Sequence, residues 1–180
     1  MIGYNLYTIK ENYKVDNMKS SNASSSAFGW DFQSNAAIVL MLKNIERAAK
    51  VKVEGKTEDI EITFSDGKIL MSQAKSVGRP DDFTNVKRNL VKGLGTLNNA
   101  AKINDVEQLI FITNSPNPFN DITTMYNFSS PFNFATYSEL PENCQQVITE
   151  ICIDKGYDFH KENLTDFFET LSKIDDINVD

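Results

Sequence analysis

Apolar and polar positions follow two periods along this chain, and together they predict an alternation of helices and strands. Apolar residues three and four apart indicate helices, whereas alternating residues and one short apolar run bounded by turn residues indicate strands. The pattern predicts helices over about 29–49, 83–102, 141–155 and 164–173, and strands over about 51–53, 58–64, 69–75, 108–113 and 132–137. This order predicts an α/β fold with a mixed β-sheet flanked by helices.

The length of 180 residues is enough for one such domain with a substantial core. The Ser- and Asn-rich stretch 20–26 is typical of a loop, so residues 1–26 are expected to form a flexible or weakly structured lead-in. The domain itself is expected over 27–180, with a core at about 27–137 and a C-terminal helical part at about 138–180.

The segment Ser65-Asp66-Gly67-Lys68 is a strong turn signal and predicts a β-hairpin from its two flanking strands. Strand residues alternate between faces, so Gln73 and Lys75 share one face of the returning strand. A two-residue turn would place Gln73 opposite Ile60, whereas a shift of one residue, as a glycine bulge causes, would place it opposite Asp59. The sequence leaves both registers open, and the candidate chemistry favours the second.

Acidic residues beside a lysine at one end of this hairpin are what phosphodiester hydrolysis with a divalent cation requires. Asp59 is the best candidate metal ligand, and the supporting candidates are Glu54, Glu58 and Glu61. The Gln73 side chain or the Ala74 main-chain carbonyl could add a neutral oxygen. Lys75 would orient the attacking water or bind the phosphate. From spacing alone, however, an acid-rich strand, a turn and a lysine are also common in an ordinary surface hairpin.

The charge is distributed unevenly between the two parts of the chain. Residues 1–102 carry 15 Lys/Arg against 11 Asp/Glu, a net charge of +4, whereas residues 103–180 carry 3 against 14, a net charge of −11. The candidate chemistry lies in the basic part, where phosphate contacts are favoured. Candidate DNA contacts are Arg79, Lys87, Arg88 and Lys92, although a basic helix face is often only solvated.

Several other residues indicate structure rather than chemistry. Gly93 and Gly95 predict close packing or a helix kink, and Trp30 is expected in the core rather than as a stacking platform. Cys144 and Cys152 are expected to be buried thiols, and a single histidine argues against histidine-based zinc chemistry. No apolar run reaches the length of a membrane span and no secretory pattern opens the chain, so a cytoplasmic location without membrane contact is expected.

A series of segments, in order along the chain, resembles a known family. The segments are Ala27-Phe28-Gly29-Trp30-Asp31-Phe32-Gln33, Val53-Glu54-Gly55 leading into Glu58-Asp59-Ile60-Glu61, Met71-Ser72-Gln73-Ala74-Lys75, and Phe111-Ile112-Thr113-Asn114. They are similar to the N-terminal nuclease domain of bacterial anti-phage effectors, namely the double-stranded-DNA nucleases of cyclic-oligonucleotide (CBASS) systems and the Lamassu-type effector nucleases. These nucleases belong to the PD-(D/E)xK restriction-endonuclease-like superfamily, and the likeness covers about residues 27–114.

The resemblance implies a Mg²⁺- or Mn²⁺-dependent endonuclease domain with a restriction-endonuclease-like sheet, acting on double-stranded DNA with little sequence specificity. By position, Asp59 matches the metal-binding acid, Lys75 the catalytic lysine, and Gln73 the second acid in a Gln-x-Lys form. Gln33 matches a position where such enzymes often carry a helix glutamate. Two amides in place of acids weaken the charge balance for metal, so Glu54 or Glu61 would have to compensate.

The resemblance also implies partners. Such effectors act in bacterial anti-phage defence, usually carry a further C-terminal sensing region that this chain would lack, and become active through oligomerisation or a defence-complex partner. The alternative is a catalytically inert nuclease-like fold that serves as an interaction or oligomerisation module.

Overall fold

The computed structural model describes residues 17–54, 59–79, 81–103, 105–121, 123, 135–158 and 168–172, with backbone alone for 17–26 and 168–172. These residues form three α-helices, five strands and a short 3-10 helix at Tyr137–Glu139. The helices are α1 (Asn17–Lys43), α2 (Val86–Ala100) and α3 (Glu142–Lys155). The strands are β1 (Ala48–Val53), β2 (Ile60–Phe64), β3 (Ile69–Lys75), β4 (Val106–Thr113) and β5 (Phe168–Ser172).

The strands form one mixed sheet in the order β1-β2-β3-β4-β5. The pairs β1–β2 and β2–β3 are antiparallel, whereas β3–β4 and β4–β5 are parallel. Parallel strands need a crossover connection, and α2 provides it between β3 and β4. The predicted α/β fold with a mixed sheet flanked by helices is therefore confirmed.

Alternation along the strands divides the apolar side chains between two cores, one on each face of the sheet. The α1 face holds buried residues of α1 together with the apolar positions of β2 and their neighbours: Phe32, Ala36, Ala37, Leu40, Ile60, Ile62, Phe64, Leu70, Ala74, Ile110 and Ile112. The opposite face joins β3 and β4 to α2 and α3 through Met71, Leu90, Leu94, Leu97, Leu109, Phe111, Cys144, Ile148 and Ile151, among others.

The hairpin between β2 and β3 adopts the register that places Gln73 opposite Asp59. Ile60 pairs with Ser72 and Thr63 with Ile69, and continuing the ladder by one residue brings Asp59 beside Gln73. Phe64 N–H donates to the Lys68 carbonyl (2.8 Å), which leaves a three-residue loop that ends in Gly67 at φ +85°. This left-handed glycine is the bulge that shifts the register by one residue.

Two predicted elements differ in kind from the structure. Residues 168–172 form β5 rather than part of a helix, because they pair with the backbone of Leu109–Thr113, which would otherwise be an unpaired edge of β4. Residues 135–137 do not form a strand, since Thr136 and Glu139 form a capping box that starts a 3-10 turn. The remaining residues of both predictions, 164–167, 173 and 132–134, lie outside the described part of the chain.

The first helix also has different limits from those predicted. It begins at Asn17, so the irregular lead-in is wrong for residues 17–26, while residues 1–16 lie outside the described part. Ser and Asn cost only tenths of a kcal/mol each in a helix, which packing further along the same helix can offset. The helix ends at Lys43 rather than near residue 49, because Ala48 already pairs with Phe64 in the sheet.

Candidate active site

Three of the predicted site residues meet at one end of the sheet, on the face covered by α2. Asp59 immediately precedes β2, and Gln73 and Lys75 are the last alternating positions of β3. Gln73 faces α2, since a Cβ added to Gly93 of that helix would lie 3.6 Å from its Cγ. The register and the alternation of the strands thus bring together a carboxylate, an amide and an ammonium group from residues 14 to 16 positions apart.

One oxygen of Asp59 accepts all three hydrogen bonds at the centre of the site. Asp59 Oδ2 accepts from Gln73 Nε2, from the Ala74 backbone N–H at 2.8 Å and from Lys75 Nζ at 3.3 Å. The side chains of Asp59 and Lys75 are 19% and 27% exposed, and Gln73 is buried. A partly desolvated ion pair with a backbone donor fixes the carboxylate in position while leaving solvent access to it.

The oxygen donors at this site fit a divalent cation. Asp59 Oδ1 receives no hydrogen bond from any described residue, so its lone pairs remain available. Half a turn of the Gln73 amide would direct Oε1 instead of Nε2 toward the carboxylate. Two such oxygens repel each other unless a cation lies between them, and hard oxygens are the ligands that Mg²⁺ prefers.

Two of the supporting acids, Glu54 and Glu61, lie beside this pair but have different contacts, and Glu58 lies outside the described residues. Glu54 N–H donates to the Asp59 carbonyl (2.8 Å), which makes the two residues cross-strand neighbours, and the Glu54 side chain is exposed. Glu61 lies two residues from Asp59 on the same face, where Lys52 Nζ approaches its Oε2 to 3.4 Å. Within the described ranges, no three Asp, Glu, His or Cys side chains form a metal-binding group.

Gln33 is not joined to this cluster. It lies half-buried on α1, which packs on the opposite face of the sheet from Gln73. Among the described residues, none forms a hydrogen bond with the Gln33 side chain. An assisting role for Gln33 therefore stays a prediction without a contact behind it.

The predicted DNA contacts lie on the segment that follows β3 and on α2. Arg79, four residues after Lys75, is 78% exposed and lies 4.0 Å from Asp81. Arg88 and Lys92 are exposed on α2, whose inner side packs against the sheet. Lys87 instead lines a groove of about 350 Å³ between α2 and α3, together with Glu150, Asp154 and Lys155. Glu150 and Asp154 add negative charge beside Lys87, whereas the other three residues are exposed to solvent.

A residue without a predicted role holds the chain immediately after Lys75. Asn114, almost fully buried, accepts a hydrogen bond from Val77 N–H (2.7 Å) and donates one to the Val77 carbonyl (2.9 Å). These two bonds extend the parallel β3–β4 pairing beyond Lys75 and Thr113, where the ladder ends. The signal in the sequence is a polar residue directly after the apolar strand β4, at the end where parallel strands carry functional groups.

Close packing at two glycines of α2 brings this helix against β4 and against the segment that follows α3, as predicted. A Cβ on Gly93 would lie 2.4 Å from Phe111 Cε2, and one on Gly95 would lie 2.6 Å from the Tyr157 hydroxyl. Trp30 differs from its prediction, since 47% of it is exposed at the surface of α1 instead of lying in the core. At that position the helix presents its solvent side, because Phe32 and Ala36 point to the sheet.

No family model matches this chain, and the curated proteins and solved structures likewise give no match. The nuclease resemblance of the motifs therefore stays an expectation from the sequence. Among the described helices, none combines the length and the apolar character that a membrane span requires.

Proposed function

We propose that this chain is a metal-dependent endonuclease domain that hydrolyses double-stranded DNA with little sequence specificity. The observation that supports the proposal is that Gln73 and Lys75 both donate to one carboxylate oxygen of Asp59, at a partly exposed end of the sheet. An ion pair that served only stability would need neither the buried amide nor the oxygen donors that fit a cation. The motif resemblance independently assigns roles to the same three residues.

Each residue of the cluster has a distinct task in this proposal. Asp59 and Gln73 would hold Mg²⁺ or Mn²⁺ through their side-chain oxygens, with Glu54 and Glu61 close enough in the sheet to add charge. The bound cation supplies the charge that activates water and neutralises the phosphate. Lys75, held at 3.3 Å from Asp59, presents its ammonium group to a phosphate oxygen or to the attacking water. The backbone N–H of Ala74 keeps the Asp59 carboxylate oriented throughout.

The biological role follows from the resemblance and is part of the proposal. We place the domain in bacterial anti-phage defence in the cytoplasm, where association with further copies or with a defence-complex partner activates cleavage. A cleavage rate that rises more steeply than in proportion to protein concentration would support this activation.

A second candidate function is a nuclease-like interaction module without catalysis. The observation in its favour is that amides stand at both Gln33 and Gln73, while Lys52 forms an ion pair with one of the supporting acids, Glu61. With one carboxylate at its centre, the site could have lost its metal and kept its fold. Cleavage measurements separate the two functions.

The test measures cleavage of supercoiled and linear duplex DNA with Mg²⁺ or Mn²⁺, at several protein concentrations. Lys75→Ala and Asp59→Asn are expected to lower the rate by roughly 10²-fold or more, because each removes a charge that acts on the reacting phosphate or its metal. EDTA is expected to abolish cleavage by the unmodified protein.

Arg47→Ala serves as the matched control, since it breaks an ion pair with Glu107 (2.9 Å) on the same sheet but distant from the cluster. Circular dichroism establishes that each variant is folded. Cleavage that survives both site substitutions would contradict the proposed site. Absence of cleavage by the unmodified protein at every concentration and with either metal would favour the interaction module.

A further inference from the structure

The sheet face that carries the site is only partly covered by helices. Helix α2 packs on β3 and β4. None of the described helices packs as extensively on the same face of β1 and β2. On that face Glu61 and Thr63 are partly exposed, whereas Ile60, Ile62 and Phe64 on the other face of β2 are buried under α1. The open face of β1 and β2 is therefore a solvent-accessible platform directly beside Asp59.

The side chains that β1 presents on this platform are two lysines. Val51 and Val53 pack toward α1, so Lys50 and Lys52 point to the opposite face, opposite Thr63 and Glu61 respectively. Both lysines are exposed, and no described carboxylate pairs with Lys50. Lys52 forms an ion pair with Glu61, and the Lys52 side chain is 44% exposed. A competing anion can therefore displace Glu61 from this lysine.

These lysines are aligned with the candidate active site. Glu54 is the cross-strand neighbour of Asp59, and same-face residues of a strand are about 7 Å apart. Lys52 therefore lies about 7 Å and Lys50 about 14 Å along β1 from the row of Asp59. Lys75 stands on the same face of the sheet, on the other side of Asp59. Basic groups on this face therefore lie on both sides of Asp59, with Lys75 on one side and Lys52 and Lys50 on the other.

We infer that Lys50 and Lys52 bind the phosphodiester backbone of duplex DNA on the open face of β1 and β2, adjacent to the scissile phosphate at Asp59. The inference rests on the proposed nuclease function and specifies where its substrate lies. The contacts are electrostatic and independent of base sequence, in agreement with cleavage of low specificity. They differ from the sequence-based candidates, of which Arg88 and Lys92 lie on α2 and Lys87 lies beside acidic residues of α3.

The experiment measures equilibrium binding of a labelled duplex to the full chain in EDTA, at salt concentrations from 50 to 200 mM. The Lys50→Ala/Lys52→Ala double variant is compared with Arg88→Ala/Lys92→Ala, which removes the same charge from α2. Each phosphate contact contributes about 0.9 to the slope of log affinity against log salt, so the first variant should lower that slope by about 2. Its dissociation constant should accordingly rise about tenfold more at 50 mM salt than at 200 mM salt.

Two outcomes would overturn the inference. If the β1 variant leaves the slope unchanged, whether or not the α2 variant lowers it, the platform does not bind the backbone. Cleavage by the unmodified protein is measured in parallel, so the proposed function can stand while the platform fails. If the unmodified chain binds no duplex at any salt concentration, both the platform and duplex DNA as the substrate are wrong.

Discussion

At the scale of single residues, the unusual feature is a carboxylate oxygen that accepts three hydrogen bonds. Gln73 contributes the amide donor, at the position where the resembling nucleases carry a second acid. The amide is compatible with Asp59 in the absence of metal because it donates, and with a cation because its carbonyl can be turned inward. A carboxylate at this position would repel Asp59 in the absence of metal but would bind a cation more strongly.

Gln73→Glu is therefore expected to make stability depend on metal. Without a cation, a second carboxylate repels Asp59 and is left without a donor, which should lower the free energy of unfolding by roughly 1–3 kcal/mol. Mg²⁺ should restore much of that loss, because ligand binding to the folded state stabilises it. Thermal unfolding with EDTA and with Mg²⁺ provides the measurement, and Gln73→Met is the uncharged control. Equal unfolding temperatures with and without Mg²⁺ would show that no cation binds there.

The Asp59, Gln73 and Lys75 cluster could be predicted from the sequence because it depends on local rules. Alternation places side chains on a face, and the turn at Gly67 restricts the register to two choices. The Asn114 contact with Val77 could not be predicted, because it joins a side chain to the backbone across 37 residues. Such a contact depends on the parallel pairing of β3 and β4, which no local pattern encodes.

At the scale of elements, the position of α2 over the site depends on the absence of a side chain at Gly93. The helix approaches Phe111 and Gln73 so closely that even a methyl group would overlap the Phe111 ring. A glycine in a helix costs up to about 1 kcal/mol relative to alanine, so close packing at the site offsets a local preference.

Gly93→Ala should consequently destabilise the fold by about 1–3 kcal/mol and displace α2 from Phe111 and Gln73. Gly29→Ala is the matched control, because that helical glycine has nothing within 4 Å of the added methyl group. The control should be neutral or stabilising by up to about 1 kcal/mol. Urea unfolding gives both values, and an unchanged midpoint for Gly93→Ala would mean that α2 does not pack this closely.

Element prediction succeeded where the local pattern and the packing agree. Strand β3 and helices α2 and α3 follow their patterns within a few residues at each end. The strand β5 could not be predicted, since Phe168 and Leu171 are three residues apart and therefore fit a helical period. Its conformation is determined by pairing with the edge of β4, which is distant in the sequence and overrides the local helix propensity.

At the scale of the whole molecule, two separate cores hold helices on the two faces of one sheet. The core under α2 and α3 includes both cysteines, which are buried and form no disulfide, as expected. Burial raises the pKa of the Cys152 thiol from its usual 9.0 to about 11. The reactive thiolate is consequently scarce at neutral pH as long as α3 remains packed.

Labelling of Cys152 should therefore report the integrity of this core. In a Cys144→Ala background at pH 8, the thiol is expected to react with a disulfide reagent roughly 100-fold more slowly than an unperturbed cysteine, because so little thiolate is present. The rate should rise as pH approaches 11 and should rise sharply in urea, when the core opens. Rapid labelling of the folded protein at pH 8 would show that α3 is not packed as described.

The ion pair between Lys52 and Glu61 has a consequence for the order in which ligands bind. Each time a phosphate attracts Lys52, Glu61 is released two residues from Asp59, on the same face of the sheet. DNA would thereby make a second carboxylate available to the cation. The cation would in turn attract Glu61 away from Lys52, so that Glu61 competes less with DNA for this lysine. Linkage requires that each ligand then strengthen the other by the same factor, so the proposed metal site would gain the charge of Glu61 more readily when DNA is bound.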